Sequence, residues 1–330
     1  MAEFLTFDTD LTAVANAIRA KGGTSAQLIY PSGFVSAIQA IQTGITPKLV
    51  VTTTPGAAIT ATPAEGFKVV KGTAGADGMC TLELPKAGTW HVTAMANSVS
   101  NSQHIVIGTQ NMLLPLYHDT FANNTWEEII TVCRTGIAPD SWAVGDSKTM
   151  NIGGTAYQVD IIGKNHDEYA DGSGTAPLTF QLHDCYSEAK QMYSTNLSGL
   201  GWKNTDMRLT YLPAILALMP AEVKNGIHAV NKKTSEGGNS TTIETVSDTL
   251  FLLSEVEIFG TASSSVAGEG SQYDYYKAGN PKIKKREGVD EFWWERSSAS
   301  GGMFCRVRAN GQAGASNASN SLGVSFAFCF

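Results

Sequence analysis

Phe292-Trp293-Trp294-Glu295-Arg296-Ser297 opens the stretch on which the reading of this chain turns. From Ser297 to Ser325 the chain holds 7 Ser, 5 Gly, 5 Ala and 3 Asn, a composition that alone suggests disorder. Apolar anchors bracket it: Phe292-Trp293-Trp294 before, Phe304-Cys305-Arg306-Val307 inside, and Val324-Ser325-Phe326-Ala327-Phe328 after. Anchors of this size pin a weakly self-specifying loop onto a fold, and scaffolded loops carry binding function at little cost in stability. Arg306 and Arg308 alternate around Val307, so both project from one face of a strand while Val307 points inward. Two guanidinium groups on one face offer planar donor forks to carboxylates, carbonyls or sugar hydroxyls. Short Ser and Asn side chains add hydrogen bonds at low entropic cost. The residues expected on the exposed, ligand-binding side are Glu295, Ser297, Ser298, Arg306, Arg308, Asn310, Gln312, Asn317 and Asn320, with Trp294 or Trp293 as the bulk beneath them.

Upstream, the same segment, 113–330, is mixed. Thr125-Trp126-Glu127-Glu128 is a capping box that predicts a helix through Ile129, Ile130 and Cys133, ended by Gly136. Met150 and Ile152, then Gly153-Gly154, then Tyr157, Val159 and Ile161 predict a hairpin. Leu178, Phe180 and Leu182 alternate as a strand. Asp184 is expected to cap a short helix through Ala189 and Met192. Asp206 is expected to cap a longer one through Leu212, Leu216 and Met219, kinked or broken at Pro213 and Pro220. Phe251 to Phe259 reads as a strand, with Glu255 and Glu257 as a solvent-facing stripe beside buried Val256 and Ile258. Helices followed by many short strands make the segment α+β.

Segment 46–112 carries short β-branched and alternating runs: Leu49 to Thr54, Phe67 to Val70, Leu82 and Leu84, Trp90 and Val92, and Ile105 to Ile107. Turn signals at Pro55-Gly56 and Ala76-Asp77-Gly78 separate them, which predicts a small antiparallel sandwich acting as a spacer. Segment 1–45 is helical in pattern. Asp10 is a good N-cap, Leu11, Val14 and Ile18 share a face, and Gly22-Gly23 ends the helix. A second short piece follows Pro31, with Phe34, Ile38 and Ile41 on one side. Helices this short cannot bury their faces alone. They pack on each other, on the next domain, on another subunit, or on a partner as an anchor.

Composition excludes several classes. Lys+Arg number 23 against 30 Asp+Glu, a net charge of −7 that makes a poor polyanion-backbone binder, so no nucleic-acid partner is expected. No run of about 18 apolar residues is present, so no membrane insertion is expected. Met1-Ala2-Glu3-Phe4 lacks a basic region followed by an apolar run, so the chain is expected to be made in a cytoplasm without a signal peptide. Cys80, Cys133, Cys185, Cys305 and Cys329 are scattered and odd in number, which fits neither a disulfide framework nor a zinc set. His91 and His104 have no second ligand at metal spacing, and the acidic loop Asn165 to Gly172 has Leu178 where a calcium loop needs Glu, so it reads as solvated. His183-Asp184 lacks a nucleophile elbow, and Lys282 to Arg286 reads as a solvated edge. No cofactor, metal or catalytic residue is expected.

The order of elements ending in Trp293-Trp294-Glu295-Arg296-Ser297, Phe304-Cys305-Arg306-Val307, Asn317-Ala318-Ser319-Asn320-Ser321 and a terminal Phe328-Cys329 resembles a C-type-lectin-like domain. The specific kin are the domains of phage tail receptor-binding proteins and of the variable proteins diversified by retroelements. The family's common Leu at the place of Glu295, and Arg-Pro at Ser325-Phe326, are replaced here. Leu11 to Ile41, with Tyr30-Pro31-Ser32-Gly33-Phe34, resembles a short module at the head of phage tail proteins of gut bacteria, and the middle segment resembles Ig-like spacers. The resemblance implies a multidomain phage tail-tip or tail-fibre adhesin located in the virion. It implies a helical attachment module to other tail proteins, an Ig-like β-sandwich, and a lectin-like domain that binds a bacterial cell-surface receptor, protein or glycan. Homo-oligomers, trimers foremost, would gain avidity. Two alternatives stand beside it. The fold is shared with formylglycine-generating enzymes, which resemble a paired-cysteine copper oxidase, whereas Cys305 and Cys329 read as two buried small apolar residues. A structural baseplate component with an inert lectin-like domain is the other.

Overall fold

Leu49-Val50-Val51-Thr52 is β-branched, and it forms β1 (Lys48–Thr52) with Leu49 and Val51 fully buried. The computed structural model describes residues 12–18 and 47–330, apart from 65–67, 86, 108–109, 137, 197–198, 200 and 239. The chain divides into two compact units, Met1–Leu114 and Pro115–Phe330. It is multidomain and β-rich, with several small sheets and a few short helices. None of the described helices is long and apolar enough to cross a membrane.

In the first unit β1 is followed by β2 (Ala58–Pro63), β3 (Val70–Thr73), β4 (Met79–Glu83), β5 (Gly88–Ala96), β6 (Val99–Ile107) and β7 (Gln110–Leu113). They form two sheets, ordered β4-β1-β7 and β3-β2-β5-β6. Leu49, Val51 and Leu82 in one sheet, and Ile59, Ala61, Trp90 and Val92 in the other, are buried at alternate positions, so each sheet has one apolar face. The pairing is not purely antiparallel. The chain reaches β7 by crossing from the other sheet, and β7 runs parallel to β1. Gly78 holds the expected turn at φ 72°, where a Cβ would lie 2.4 Å from the Thr53 carbonyl oxygen. His91 and His104 face each other across β5 and β6 with rings 4.5 Å apart. Residues 12–18 are helical, with Ala15 and Ile18 buried. Val14 faces outward, so the buried face is rotated from the one expected. Leu11, the Asp10 cap, Gly22-Gly23 and the second helix after Pro31 lie outside the described residues.

The second unit opens with α1 (Trp126–Cys133), whose capping box is complete. The Glu128 N–H donates to Thr125 Oγ1 at 3.1 Å, and the Thr125 N–H donates to Glu128 Oε2 at 2.8 Å. β8 (Ser147–Ile152) and β9 (Thr155–Lys164) form the expected hairpin on Gly153 and Gly154, at φ 58° and 88°. The remaining strands are β10 (Leu178–Leu182), β11 (Val230–Ser235), β12 (Ile243–Asp248), β13 (Lys284–Arg286), β14 (Val289–Glu291), β15 (Trp293–Ala299), β16 (Met303–Val307), β17 (Ala313–Asn317) and β18 (Ala327–Cys329). The C-terminal β18 pairs with β10 in a sheet ordered β18-β10-β9-β8. All five residues of β10 are buried, because both of its faces are covered. The Phe180 ring sits among those of Phe121, Trp126, Phe328 and Phe330, with centroids 5.3 to 6.0 Å apart.

Three elements differ from the sequence reading. Asp206 does not cap a helix. Its carboxylate accepts the Ser194 N–H, and the chain enters α2 (Leu212–Leu218) through a π turn at Met207–Tyr211, with Pro213 inside the first turn where its missing N–H costs nothing. α3 (Ala221–Gly226) follows Pro220. Asp184 to Met192 forms no helix and instead lends backbone partners to the C-terminal strands, as in Tyr186 N–H to the Val324 oxygen. Residues 255–259 are α4 (Glu255–Phe259) and not a strand. Ser254 and Glu257 close a second capping box, and Gly260 ends the helix at φ 78°. Local capping thus overrides the period-two pattern, and Glu255 and Glu257 point inward, not to solvent. α5 (Asp274–Lys277) completes the helices.

Turning Glu257 inward creates the unit's central device. The Arg296 guanidinium on β15, fully buried, meets Glu257 through Nη1 at 2.5 Å and Nη2 at 2.9 Å. It also donates to the carbonyls of Leu252, Lys233 and Glu269. Lys232 Nζ on β11 lies 2.7 Å from Glu257 Oε1 and 2.6 Å from Asp167 Oδ1. Tyr273 donates to Asp167, and so does Thr179 on β10. Two cations face two carboxylates in the interior, and each is hydrogen-bonded. Burial alone would raise Asp167, but Lys232 outweighs it and holds the carboxyl down at about 2. Burial alone would lower Lys232, but Asp167 and Glu257 keep it charged. Replacing Arg296 by Met removes a partner and strands Glu257 on Lys232 alone. Arg296→Met should cost about 3–5 kcal/mol in urea unfolding, the scale of a broken buried pair, and Arg296→Lys should not restore it because it lacks the fork.

Candidate functional site

β15, β16 and β17 form one antiparallel sheet, in which β16 pairs with both neighbours. It contains every residue expected to bind ligand except Arg308, Asn310 and Gln312, which form the β16–β17 turn, and Asn320, just past β17. The sheet does not present them equally. All seven residues of β15 are buried, because both faces are covered and the register shifts between Trp294 and Ser298. Trp293 and Trp294 begin β15 and are fully buried, their indole N–H groups bound to the Lys282 and Lys190 carbonyls. Glu295, Ser297 and Ser298 are corrected from displayed to interior. Ser297 Oγ accepts the Glu255 N–H at 2.9 Å, and Ser298 Oγ lies 2.9 Å from Ser235 Oγ.

Arg308, Asn310, Gln312, Asn317 and Asn320 are exposed and Arg306 is half-buried. They fall into two groups. Arg306, Arg308, Asn310 and Gln312 lie around the β16–β17 turn. Asn317 ends β17, about 17 Å along the strand from Gln312, and Asn320 lies just past it. In the first group both guanidinium groups are fixed by the neighbouring strand: Arg306 Nε donates to the Ala315 oxygen and Arg308 Nε to the Ala313 oxygen, each at 3.1 Å. Arg306 Cζ lies 4.1 Å from the centroid of Phe292, a half-exposed ring the sequence reading treated only as an anchor. Gly314 stands opposite Arg306, and a Cβ there would come 2.8 Å from Arg308 Nε. Neither arginine has a carboxylate partner among the described residues. The adjoining Glu291 is taken by Arg286 and by the Phe292 N–H. Burial, and then the like charge of Arg308, hold Arg306 below its usual value.

A cleft of about 470 Å³ opens elsewhere on the unit, over Asp167, Lys232 and Glu257, with His166, Lys233 and Ser271 on its walls. Asp167 belongs to the loop expected to be solvated; instead it is buried under Lys232. The floor is charge-balanced and its groups are already bonded, so it acts on the fold. Lys284, expected on a solvated edge, is also buried. Its ammonium takes the Leu182 and His183 carbonyls at the end of β10, and burial pushes it down to about 8. The five cysteines are buried and unpaired. Cys305 sits 3.9 Å from Glu255, and Cys329 sits beside Thr179 and Asp167. Burial pushes both thiols up, so neither is a thiolate at neutral pH. Among the described residues no three His, Cys, Asp or Glu side chains are placed to hold a metal.

Residues 179–330 match a family model described as a domain of unknown function (DUF6273). The match takes in all but the first residue of β10 and all of β11 to β18, and with them Lys232, Glu257, Arg296, Arg306 and Arg308, but not Asp167. No curated protein and no solved structure matches the chain.

Glu295 is the odd member of the sheet. Both carboxylate oxygens are buried without a partner, and burial, followed by Glu255 and Glu269, raises it well above the usual carboxylate range. It is therefore a neutral acid in the fold and an ordinary carboxylate in the unfolded chain. A group raised on folding contributes stability that is present below its unfolded value and lost as pH rises. Glu295→Gln removes that titration. The variant should gain on the parent from about pH 4.5 upward, by at most about 1.4 kcal/mol per pH unit, in urea unfolding measured between pH 4 and 8.

Proposed function

We propose that this chain is a phage tail-tip or tail-fibre adhesin that binds a receptor on the surface of its bacterial host. One observation carries the reading. The sheet that buries Arg296 with full compensation displays Arg306 and Arg308 on a rigid frame with none. Two neighbouring cations held in place without a carboxylate partner offer a contact surface to an anionic group of another molecule. In this reading the second unit is a C-type-lectin-like domain, the two-sheet unit before it is an Ig-like spacer, and the N-terminal segment joins other tail proteins in the virion. A shallow site of this kind binds weakly once. Trimeric copies along a fibre multiply it. The burial of Glu295, Ser297 and Ser298 narrows the contact surface to Arg306, Arg308, Asn310 and Gln312, with Asn317 and Asn320 as an outlying pair.

The test uses the labelled full chain on a panel of bacterial strains. Strain-restricted binding is expected, and the double variant Arg306→Ala/Arg308→Ala should lose it by about tenfold or more. Arg308 is exposed and Arg306 half-buried, and neither is ion-paired, so the variant's unfolding free energy should stay within about 1 kcal/mol of the parent. Binding that survives the double substitution undiminished would sink the reading.

A further inference from the structure

The ledge at the β16–β17 turn has a chemistry of its own, and the inference drawn from it rests on the adhesin reading. Each arginine uses Nε to hold the neighbouring strand, and among the described residues neither donates a hydrogen bond through its terminal nitrogens. Phe292 backs one guanidinium, and the bare Cα of Gly314 lets the other lie flat. Arg306 is on β16 and Arg308 stands two residues on, just past the strand's end, so their roots are about 7 Å apart. Glu291, the carboxylate next in the chain to Phe292, is already spent on Arg286. In a chain of net charge −7, two fixed cations thus stand uncompensated side by side.

An end-on guanidinium fork matches a planar carboxylate, two N–H donors to two oxygens. Phosphate sites add a helix N-terminus or a nest of backbone N–H groups, and here three of the turn's N–H groups are already used: Arg308 N–H bonds the Gln312 oxygen, Gly311 N–H the Arg308 oxygen, and Gln312 N–H Asn310 Oδ1. Protein hot spots need an apolar pocket for an anchor, and this ledge offers the rim of one ring. Asn310 Nδ2 donates to Gln312 Oε1, which orients the Gln312 side-chain NH2 as a donor suited to a hydroxyl group. We infer that Arg306 and Arg308 grip successive carboxylates of an acidic, uronate-type polysaccharide on the host surface.

Binding of the full chain is measured to four probes: polygalacturonate, polyphosphate, poly-L-glutamate and neutral dextran. Saturable binding to polygalacturonate is expected, weakening as salt rises from about 0.05 to 0.3 M. Arg306→Ala/Arg308→Ala should weaken it by about tenfold or more, and Arg306→Lys/Arg308→Lys, which keeps both charges without the forks, by severalfold. Gly314→Val, which keeps both arginines but displaces one, should also weaken it. Equal or tighter binding to polyphosphate overturns the carboxylate assignment, and equal or tighter binding to polyglutamate overturns the polysaccharide. Polygalacturonate binding that ignores all three variants overturns the site. Arginine-dependent binding to cells without binding to polygalacturonate overturns this inference and leaves the adhesin reading in place.

Discussion

The second unit depends on the meeting of Arg296 with Glu257 in its interior. The pair joins β15 to α4, and through the carbonyls of Lys233, Leu252 and Glu269 it joins both to β11 and the loops between. Lys232 extends it to Asp167, and Tyr273 and Thr179 close it onto β10. Charges this deep are tolerated only when each is paired and its remaining hydrogen-bonding positions are filled. That demand leaves little freedom. One turn of α4, one strand and two loops must arrive together, which fixes β15 and hence the sheet built on it.

The same sheet handles three further charges in two other ways. Glu295, one residue from Arg296, is buried without a partner and stays neutral at a cost to stability. Arg306 and Arg308 remain outside, tied only at Nε. The contrast separates support from display. Arg296 cannot be changed without leaving Glu257 in the interior with Lys232 as its one cationic partner. Arg306 and Arg308 hang from carbonyls at the edge, and water can replace them there at little cost.

Parts of this were legible in the sequence because they are local. The capping box at Thr125 and Glu128 and the Gly153-Gly154 hairpin depend on residues within a few positions of each other. The signal at Ser254-x-x-Glu257 was equally local, but Val256 and Ile258 flanking a charged residue imitate a strand, and the shorter motif decides the outcome. The burial of Glu295, Ser297 and Ser298 was not legible. Polar residues in a Gly- and Ser-rich run look solvated, and only partners 42 and 63 positions away, Glu255 and Ser235, turn Ser297 and Ser298 inward. The spacing of Arg306 and Arg308 suggested one strand, but β16 ends at Val307 and leaves Arg308 in the turn, and that Phe292 and Gly314 shape their setting depends on register across two strand pairs.

This separation has a consequence for how such a surface can change. A recognition patch that shares its partners with the core drifts slowly, since each substitution is charged against the stability of the whole. Here the network that positions the sheet ends at Ser298 on β15, while the displayed arginines belong to β16 and the turn after it. Between them stand Phe304, Cys305 and Val307, apolar residues that pass on shape but hold no charge in common with the patch. Substitutions at Arg306, Arg308, Asn310 or Gln312 therefore alter what the surface attracts without reaching the ion pairs below. The frame can stay constant while its contacts vary, because the interactions that specify the one are not the interactions that perform the other.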